Sequence, residues 1–332
     1  MAKARAIVKR RKAVRNIKKI TKTMQMIATA KFQKSLKRAV GTKAFTLKLR
    51  ELVRELAASL ARQQEDGEGY LHPLLRTITP QTRSGKVALL VITSNRGLAG
   101  AYNGSILRTA MAFIREQEAA GNQVELYVTG KKGIAFFNYQ KRPIALKYDA
   151  KDVPTFEEVR RAAEKFMADF IEGRLDGVHV AFMNFISTGS QKPVVGALLP
   201  LAGVASAAEK LAQEVAEKEA QLKAGALDAR RSGANVHVEE AKYDTATMYD
   251  FSPSARELLD ELLPQTVKVS LFQAFLDATT SEHVARMVAM KSATDNADKM
   301  AKALTMQYNR ARQSQITTEL SEIMGGVEAM KG

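Results

Sequence analysis

The sequence has 332 residues, a formal net charge of +16 and no cysteine. This length fits one elongated element together with one domain of about 120 to 180 residues. The lack of cysteine excludes disulfides, thiolate metal sites and thiol switching, and the four dispersed histidines lack the spacing of metal ligands. No apolar run reaches the length of a membrane span and no signal-peptide core is present. We therefore expect a soluble, intracellular protein that can sit on a membrane complex.

A long N-terminal helix, residues 1–62, is the first predicted element. Between Lys3 and Leu60 there is no proline and a single glycine, Gly41. A helix over this range would be about 87 Å long. Its apolar residues recur mostly at helical spacing, which predicts one apolar stripe along it: Ile7, Val14, Ile17, Met24, Ile27, Leu36, Val40, Leu47, Val53, Leu56 and Leu60.

The same helix carries an unusual concentration of positive charge. The first fifty residues contain eleven lysines, six arginines and no acidic residue. Such a segment predicts an acidic or polyanionic partner, and charge alone leaves nucleic acid, anionic lipid and an acidic protein surface open. An alternative hypothesis is therefore that the chain is a basic coiled-coil protein that binds nucleic acid. It is weakened because only Phe32 and Phe45 in this segment could stack on bases.

A polar linker at residues 63–69 leads into a middle domain, residues 70–202, in which strands and helices alternate. The pattern predicts a mostly parallel, Rossmann-like α/β domain. The predicted helices are at residues 105–119, around Ile134 and at 155–171. The predicted strands are at residues 86–93, 124–129, 144–148, 177–185 and 194–198.

A glycine-rich loop follows the first predicted strand and raises the question of a nucleotide site. Its glycines, Gly97, Gly100 and Gly104, have the spacing G-x-x-G-x-x-x-G, which matches neither dinucleotide-binding nor P-loop patterns. The Gly-Lys-Lys-Gly sequence at residues 130–133 is equally far from them. We therefore expect tight turns and close packing at these glycines. An α/β enzyme is a further alternative, but no acid-base pair or nucleophile constellation supports it.

Residues 203–245 differ in composition from the domain before them. We predict that they form an insert that is partly helical. Ser206 and Glu209 form a capping box that opens a predicted surface helix of about eighteen residues. A second capping box, Ser254 with Glu257, predicts a short helix that ends at Leu263 because Pro264 follows.

The longest predicted helix lies at the C-terminus, within residues 254–332. From Val267 to Val327 there is no proline, and the only glycines are Gly325 and Gly326. The simplest way to bury both terminal stripes is to wind the two helices together over part of their length, as an antiparallel coiled coil around the central α/β domain. The stripe contains Phe272, Phe275, Leu276, Val284, Met287, Val288, Ala297, Met300, Leu304, Tyr308, Ala311, Ile316, Leu320, Ile323 and Val327.

Several motifs then identify a family. The sequence KKITKTM at residues 18–24, EHVARMVAMKSATDNA at 282–297 and YNRARQSQITTELSEI at 308–323 resemble the gamma subunit of F-type ATP synthases. TSNRGLAGAYN at residues 93–103, FIS at 185–187 and LLPL at 198–201 are similar to the same family. The resemblance covers nearly the whole chain except roughly residues 203–245.

The resemblance implies a rotor that performs no chemistry and needs no cofactor. In that family the two terminal helices enter the ring of alpha and beta subunits, while the α/β domain holds epsilon and rests on the c ring. Ion flux turns this shaft, and the shaft changes the conformation of catalytic sites on the beta subunits. The resemblance also implies no nucleic-acid partner, and a peripheral position on the cytoplasmic face of a bacterial-type inner membrane.

The resemblance further assigns contact residues. Positions that match contacts with the beta subunit are Lys18, Lys19, Lys22, Met24, Arg286, Arg312, Gln313, Thr317 and Glu319. Tyr249, Asp250 and Phe251 match the foot on the c ring, although Phe251-Ser252-Pro253 departs from the usual Tyr-Glu-Pro of the family. The insert stands where photosynthetic members carry a regulatory insertion. Its helix is expected either to pack along the stalk and restrain rotation or to be a passive decoration.

Overall fold

Two long helices and one central sheet make up the computed structural model, which describes residues 2–63, 72–76, 83–148, 154–201 and 254–330. Helix α1 runs from Ala2 to Gln63 and helix α5 from Ala255 to Ala329. Between them, a short 3-10 turn at Pro73–Leu75 precedes the α/β domain. The predicted fold class, an α/β domain between long terminal helices, is confirmed. The predicted surface helix at residues 206–223 lies outside the described residues.

The sheet has five strands in the order β3-β2-β1-β4-β5. The pairs β3–β2, β2–β1 and β1–β4 are parallel, and β5 pairs antiparallel with β4. The sheet is therefore mostly parallel, as predicted. The strands are β1 Lys86–Ile92, β2 Gln123–Thr129, β3 Leu146–Tyr148, β4 Gly177–Ser187 and β5 Ser190–Leu199. The helices are α2 Tyr102–Ala119, α3 Lys131–Tyr139 and α4 Phe156–Ile171.

Two apolar cores cover the two faces of this sheet. On one face, α4 and the first third of α5 pack on β1 and β4 through residues such as Phe166, Leu263 and Val267. On the other face, α2 and α3 pack through Ile106 and Phe137. Central strands buried on both sides explain the continuous apolar run of β1, whose residues after Lys86 are all buried.

Helices α1 and α5 form an antiparallel pair. Lys18 Nζ lies 2.5 Å from the Asp298 carboxylate, and the hydroxyls of Thr21 and Thr294 are 2.8 Å apart. Nearer the N-terminus, the Arg11 guanidinium lies over the ring of Tyr308. Gln315 is the last half-buried residue of α5, and the side chains of residues 316–327 are all exposed. The coiled coil therefore covers only part of α5, as predicted, and leaves a single-helix tip at residues 316–327.

The buried face of α1 follows a seven-residue repeat, the spacing of a left-handed coiled coil, with a half-buried Thr42 between Ser35 and Leu49. The predicted apolar stripe was wrong at Ile17, Ile27, Val40 and Leu47, each of which is more than half exposed. The seam is built instead from small and hydroxyl-bearing side chains that a search for apolar residues passes over. Its buried members are Val14, Thr21, Ala28, Ser35, Leu49 and Leu56 in one series, and Phe32, Ala39, Thr46 and Val53 in the other.

The predicted helix end at Leu263 was also wrong, because α5 continues through Pro264. Proline at this position loses one backbone hydrogen bond and crowds the preceding turn. The surrounding turns are held in the core of the domain, where Leu259, Leu263 and Val267 are buried. Tertiary packing on both sides of Pro264 therefore outweighs the local preference to end the helix.

The middle of α5 is buried all round its circumference. Every residue from 273 to 281 is buried, because the helix lies between α1 and strand β4. Such burial on all sides is the mark of a helix in the centre of a fold. The shaft and the α/β domain are thus joined through one continuous helix rather than through a hinge.

Four polar side chains lie in the seam where the coiled coil meets the domain, and we call Arg50, Ser270, Gln273 and Asp277 the neck cluster. The Arg50 guanidinium donates to the Ser270 hydroxyl at 3.0 Å, and Gln273 donates to the Asp277 carboxyl at 2.9 Å. Burial raises the pKa of Asp277 to about 7, against the opposing effects of Lys43, Gln273 and Arg50.

The heptad seam makes a testable prediction about two neighbouring leucines. Leu49→Ala should lower the free energy of unfolding by about 2 to 4 kcal/mol, because it leaves a cavity in the seam. Leu47→Ala, the matched control at an exposed position, should change it by less than about 0.5 kcal/mol. Urea unfolding of both full-length variants measures the difference. Equal changes in the free energy of unfolding for the two variants would contradict the placement of Leu49 in the seam and Leu47 outside it.

A second prediction concerns the pH dependence of stability. Folded Asp277 keeps its proton up to about pH 7, whereas in the unfolded chain the carboxyl titrates near about 3.9. The folded state therefore binds the extra proton between these values. Stability is lost as pH rises across this window, by at most about 1.4 kcal/mol per pH unit.

The quantity to measure is the difference in the free energy of unfolding between wild type and Asp277→Asn as a function of pH. A difference is needed because histidines with lowered pKa values act in the opposite direction. Burial lowers the pKa of His179 to about 4 and also lowers that of His72. These two groups therefore add stability as pH rises toward the ordinary histidine range. The histidine contributions cancel in the difference between the two proteins. The free energy of unfolding of the wild type should therefore fall relative to that of the variant from about pH 4 to about pH 7. A difference that stays constant with pH would contradict the burial of Asp277.

Candidate functional site

The carboxyl edge of the parallel strands, where α/β domains usually bind ligands, is filled by α5. The strand order changes direction at β1, and such a switch point forms the usual crevice. Here the Tyr102 hydroxyl donates to the Ala278 carbonyl at 3.0 Å, and the Ser281 hydroxyl donates to the Met183 carbonyl at 3.3 Å. The remaining cavity beside Thr93 and Tyr102 measures about 30 Å³. This space suits a water molecule rather than a nucleotide.

Close packing accounts for the glycines at this edge, as the sequence predicted. A Cβ atom on Gly130 would lie 2.1 Å from the Thr93 carbonyl oxygen, and one on Gly133 would lie 2.7 Å from the Thr93 hydroxyl oxygen. The Gly133 amide donates to that hydroxyl at 2.9 Å. In the preceding loop, Gly100 has a positive φ of 57° and approaches Ala289 of α5. These glycines let the loops pack against β1 and the shaft.

The basic face of α1 is a second candidate site. Lys19 and Lys22 are exposed, while Lys18 is half-exposed in its ion pair with Asp298. The hydrogen bond and the charge of Lys18 hold the pKa of the Asp298 carboxyl below its usual range. Met24 is half-buried beside the seam. The predicted positions at residues 18–24 therefore fall on one stretch of shaft with an exposed positive face.

Apolar side chains lie exposed among these lysines, whereas the sequence analysis assigned two of them, Ile17 and Ile27, to the buried stripe. The exposed members are Ile17, Ile20, Met26 and Ile27. The available signal was the seven-residue spacing of Val14, Thr21 and Ala28, which places Ile17 and Ile27 outside the seam. Exposed apolar groups interleaved with lysines are typical of a surface that a partner covers. The candidate site on α1 is thus both cationic and apolar.

The single-helix tip and the turn before it form the third candidate site. Arg312, Gln313, Thr317 and Glu319 are all exposed, as a partner-binding role requires. The Thr317 hydroxyl donates to the Gln313 carbonyl at 3.0 Å, and Gln315 donates to Glu319 at 2.8 Å. Large apolar side chains are also exposed along the tip, namely Ile316, Leu320, Ile323, Met324 and Val327. An isolated helix of this kind is stabilised by partners around it.

Arg286 lies apart from the other predicted contact residues. Its guanidinium is 2.7 Å from Glu282, and the side chain is only 11% exposed. It also approaches the carbonyls of Arg96 and Gly97 at 3.4 Å. Arg286 therefore holds the loop after β1 against α5. The predicted foot residues Tyr249, Asp250 and Phe251 and the insert at 203–245 lie outside the described residues.

Within the described ranges, no helix is long and apolar enough to cross a membrane. This holds for both terminal helices despite their length.

Comparisons with known proteins agree with the resemblance seen in the motifs. The sequence matches the family described as ATP synthase over residues 3–330. An ATP synthase gamma chain of Rhodopirellula baltica is 39% identical, and the match covers 100% of both chains. An ATP synthase gamma chain of an Exiguobacterium species is 33% identical, again over 100% of both chains.

Solved structures share the fold. A chain in the Euglena gracilis mitochondrial ATP synthase, in an assembly of OSCP, F1 and c-ring, has a TM-score of 0.60 at 18% identity. The match covers 99% of this chain and 95% of that one. A chain in the rotor of the same enzyme has a TM-score of 0.56 at 16% identity, with 95% and 99% covered.

The packing account of the glycines can be tested directly. Gly130→Ala should lower the free energy of unfolding by at least about 2 kcal/mol, because the new methyl group collides with backbone at a positive φ. Gly189→Ala is the matched control, since its Cβ would meet nothing within 4 Å. It should cost less than about 0.5 kcal/mol. Thermal unfolding of both variants measures the costs, and a mild Gly130→Ala would refute the packing account.

Proposed function

Because the chain belongs to the ATP synthase gamma-chain family, we propose that it is the central-stalk rotor of an F-type ATP synthase. It couples ion-driven rotation of the c ring to conformational change at catalytic sites on the beta subunits, and it carries out no chemical step itself. One structural observation supports this best. A two-helix shaft is rooted in an α/β domain through the buried middle of α5 and ends in a single exposed helix.

The mechanism rests on the asymmetry of this shaft. Helix α1 presents a lysine-rich face with no carboxylate in its first fifty residues, whereas α5 presents charges of both signs. Catalytic sites arranged around such a rod cannot all make the same contacts with it. Each orientation of the rod therefore stabilises a different conformation at each site, and turning the rod exchanges those conformations.

We place the contacts with the beta subunits at two levels of the shaft. The lower level is Lys18, Lys19, Lys22 and Met24, and the upper level is Arg312, Gln313, Thr317 and Glu319. From the antiparallel pairing, the two levels are about 25 Å apart along the axis. Exposed lysines at the lower level suit an acidic protein surface, and the exposed apolar residues at both levels suit a surrounding sleeve of subunits.

Arg286 enters the proposal through the loop that it holds. Its ion pair with Glu282 and its approach to the loop carbonyls favour an indirect contact, in which residues 95–98 meet the partner. The charge on α1, which could have indicated nucleic acid, is accounted for by complementarity to an acidic protein surface.

Epsilon and the c ring are the proposed partners of the α/β domain. Tyr249, Asp250 and Phe251, which the resemblance matches to the foot, are the proposed contacts with the c ring. The chain acts as part of a membrane-associated complex, and we propose that it lies on the cytoplasmic face of a bacterial inner membrane.

Recovery of the native complex tests this assignment. A tagged chain should be isolated from the membranes of its own organism, and the bound proteins identified. Recovery of alpha, beta, epsilon and c subunits with ATPase activity supports the proposed partners. Recovery of nucleic acid without ATPase subunits would overturn the rotor assignment.

A fourth prediction concerns the upper level of contacts. Replacing Arg312 and Gln313 together by alanine should lower the rate of ATP hydrolysis and of ATP-driven ion pumping by the reconstituted complex. Removing a charged hydrogen-bond partner at such an interface typically costs about 1.5 to 3 kcal/mol, which corresponds to roughly a tenfold or greater loss in rate.

Arg310→Ala is the matched control, since Arg310 is also exposed but points elsewhere on the same helix. It should leave both rates within about twofold of the wild type, because substitutions at exposed positions are usually mild. If both arginine variants lose activity equally, the effect belongs to the charge of the tip and not to a specific contact.

A further inference from the structure

The outer half of the coiled-coil seam is built mainly from small side chains, and a few specific contacts align it. From Val14 to Ala39, the buried positions of α1 are Val, Thr, Ala, Phe, Ser and Ala. Most of these side chains are small and interdigitate little, so they contribute little to the alignment. The alignment-specific contacts in this half are few, namely the Lys18–Asp298 ion pair, Arg11 over Tyr308 and the Phe32 ring against Phe185. The Thr21 and Thr294 hydroxyl pair adds little, because a hydroxyl group can rotate and each of these also donates to a carbonyl of its own helix.

The neck cluster lies where α1 first packs against the part of α5 that is fixed in the domain. Both Nε and Nη2 of Arg50 donate to the Ser270 hydroxyl, at 3.3 and 3.0 Å. Gln273 Nε2 donates to Asp277 on its own helix and lies 3.4 Å from the Ala39 carbonyl of α1. Ser270, Gln273 and Asp277 are each buried. The cluster thus connects two positions of α1, about 16 Å apart along the helix, to one short stretch of α5.

A displaced alignment would leave this cluster with an unfavourable charge arrangement. The charged groups that face Asp277 are Lys43 and Arg50, both on α1. Sliding α1 by one turn would move both cations by about 5.4 Å and break the bond from Arg50 to Ser270. The partly buried Arg50 guanidinium would lose its hydroxyl acceptor, and a buried polar group without its hydrogen-bond partner is unfavourable. Polar groups in a seam are known to specify alignment in this way, at some cost in stability.

We propose that Arg50, Gln273 and Asp277 are positioning residues that fix the longitudinal alignment of α1 against α5, so that both helices of the shaft turn as one body. The alignment itself follows from the contacts in this chain, whereas its importance for torque rests on the proposed rotor function. Because α5 runs through the centre of the domain, whereas α1 touches the domain at Phe32, Val53 and Leu56, α1 receives most of its torque through the seam. A defined alignment keeps the lower contact level of α1 in fixed relation to the upper level on α5.

The absence of cysteine allows a direct test on the full-length chain. Spin labels are attached at Lys12→Cys on α1 and Lys291→Cys on α5, both exposed and both outside the neck cluster. These sites are offset along the axis, so sliding of α1 changes the distance between the labels. The test variant is Gln273→Leu with Asp277→Leu, which replaces the polar groups by apolar ones. The matched control is Thr266→Val, a buried hydroxyl of α5 that bonds only within its own helix at Leu262.

Pulsed electron paramagnetic resonance then reports the distribution of distances. We expect one narrow distribution for the wild type and for Thr266→Val. The double variant should show a broadened distribution or a second population displaced by about one helical turn, 5.4 Å. An unshifted, narrow distribution in a folded double variant would overturn the proposal. If circular dichroism shows that the double variant does not fold, Arg50→Met, which removes the bond to Ser270 and keeps the apolar stem, is measured in the same way, and an unshifted distribution there has the same meaning.

A second arm separates this inference from the rotor assignment. The same variants are assembled into the native complex, and ATP-driven ion pumping is compared with ATP hydrolysis. A shifted distance with reduced pumping per ATP supports both proposals. A shifted distance between the labels with unchanged pumping per ATP supports the proposed role of these residues in alignment. It contradicts the claim that the alignment matters for torque. An unshifted distance removes the alignment proposal whatever the complex does.

Discussion

The burial of α5 between α1 and the sheet is the constraint on which the rest of the structure depends. Every residue from 273 to 281 is buried, and the Ala278 carbonyl in this stretch accepts a hydrogen bond from the Tyr102 hydroxyl of α2. The same helix then leaves the domain, pairs with α1 and finally continues alone. Because one unbroken helix serves as core, as half of the shaft and as tip, a torque on the domain is transmitted to the tip without an intervening joint.

This arrangement also leaves little room for a ligand in the usual crevice of an α/β domain. The crevice at the carboxyl ends of β1 and β4 is occupied by α5, and the loops with Gly100 and Gly130 pack against the shaft and β1. The crevice at the point where the strand order reverses thus binds a helix of the same chain. The exposed surfaces, by contrast, are the lysine-rich face of α1 and the apolar tip, and these are the parts that a rotor would present to its partners.

The sequence predicted the element order and the mostly parallel sheet because buried strands and long helices have strong periodic signals. It failed at Ile17, Ile27, Val40 and Leu47, since the true seam uses Thr21, Ala28 and Ser35 in a heptad that hydrophobicity does not reveal. It failed again at Pro264, where packing of Leu263 and Val267 outweighs the local cost of proline. The candidate contact residues came from family motifs, and residue chemistry alone would not have distinguished Arg312 from any solvated arginine. Nor could it have placed Arg286 against the loop carbonyls.

Rotation of the shaft within the assembled complex tests the central claim most directly. The head of the complex is fixed to a surface, and a bead is attached to a cysteine introduced at Lys192, on the hairpin of the α/β domain. On addition of ATP, the account predicts continuous rotation of the bead in one direction, which stops when ATP is removed. A bead that stays fixed while the same complexes hydrolyse ATP would contradict the account, because the chain would then not turn with catalysis.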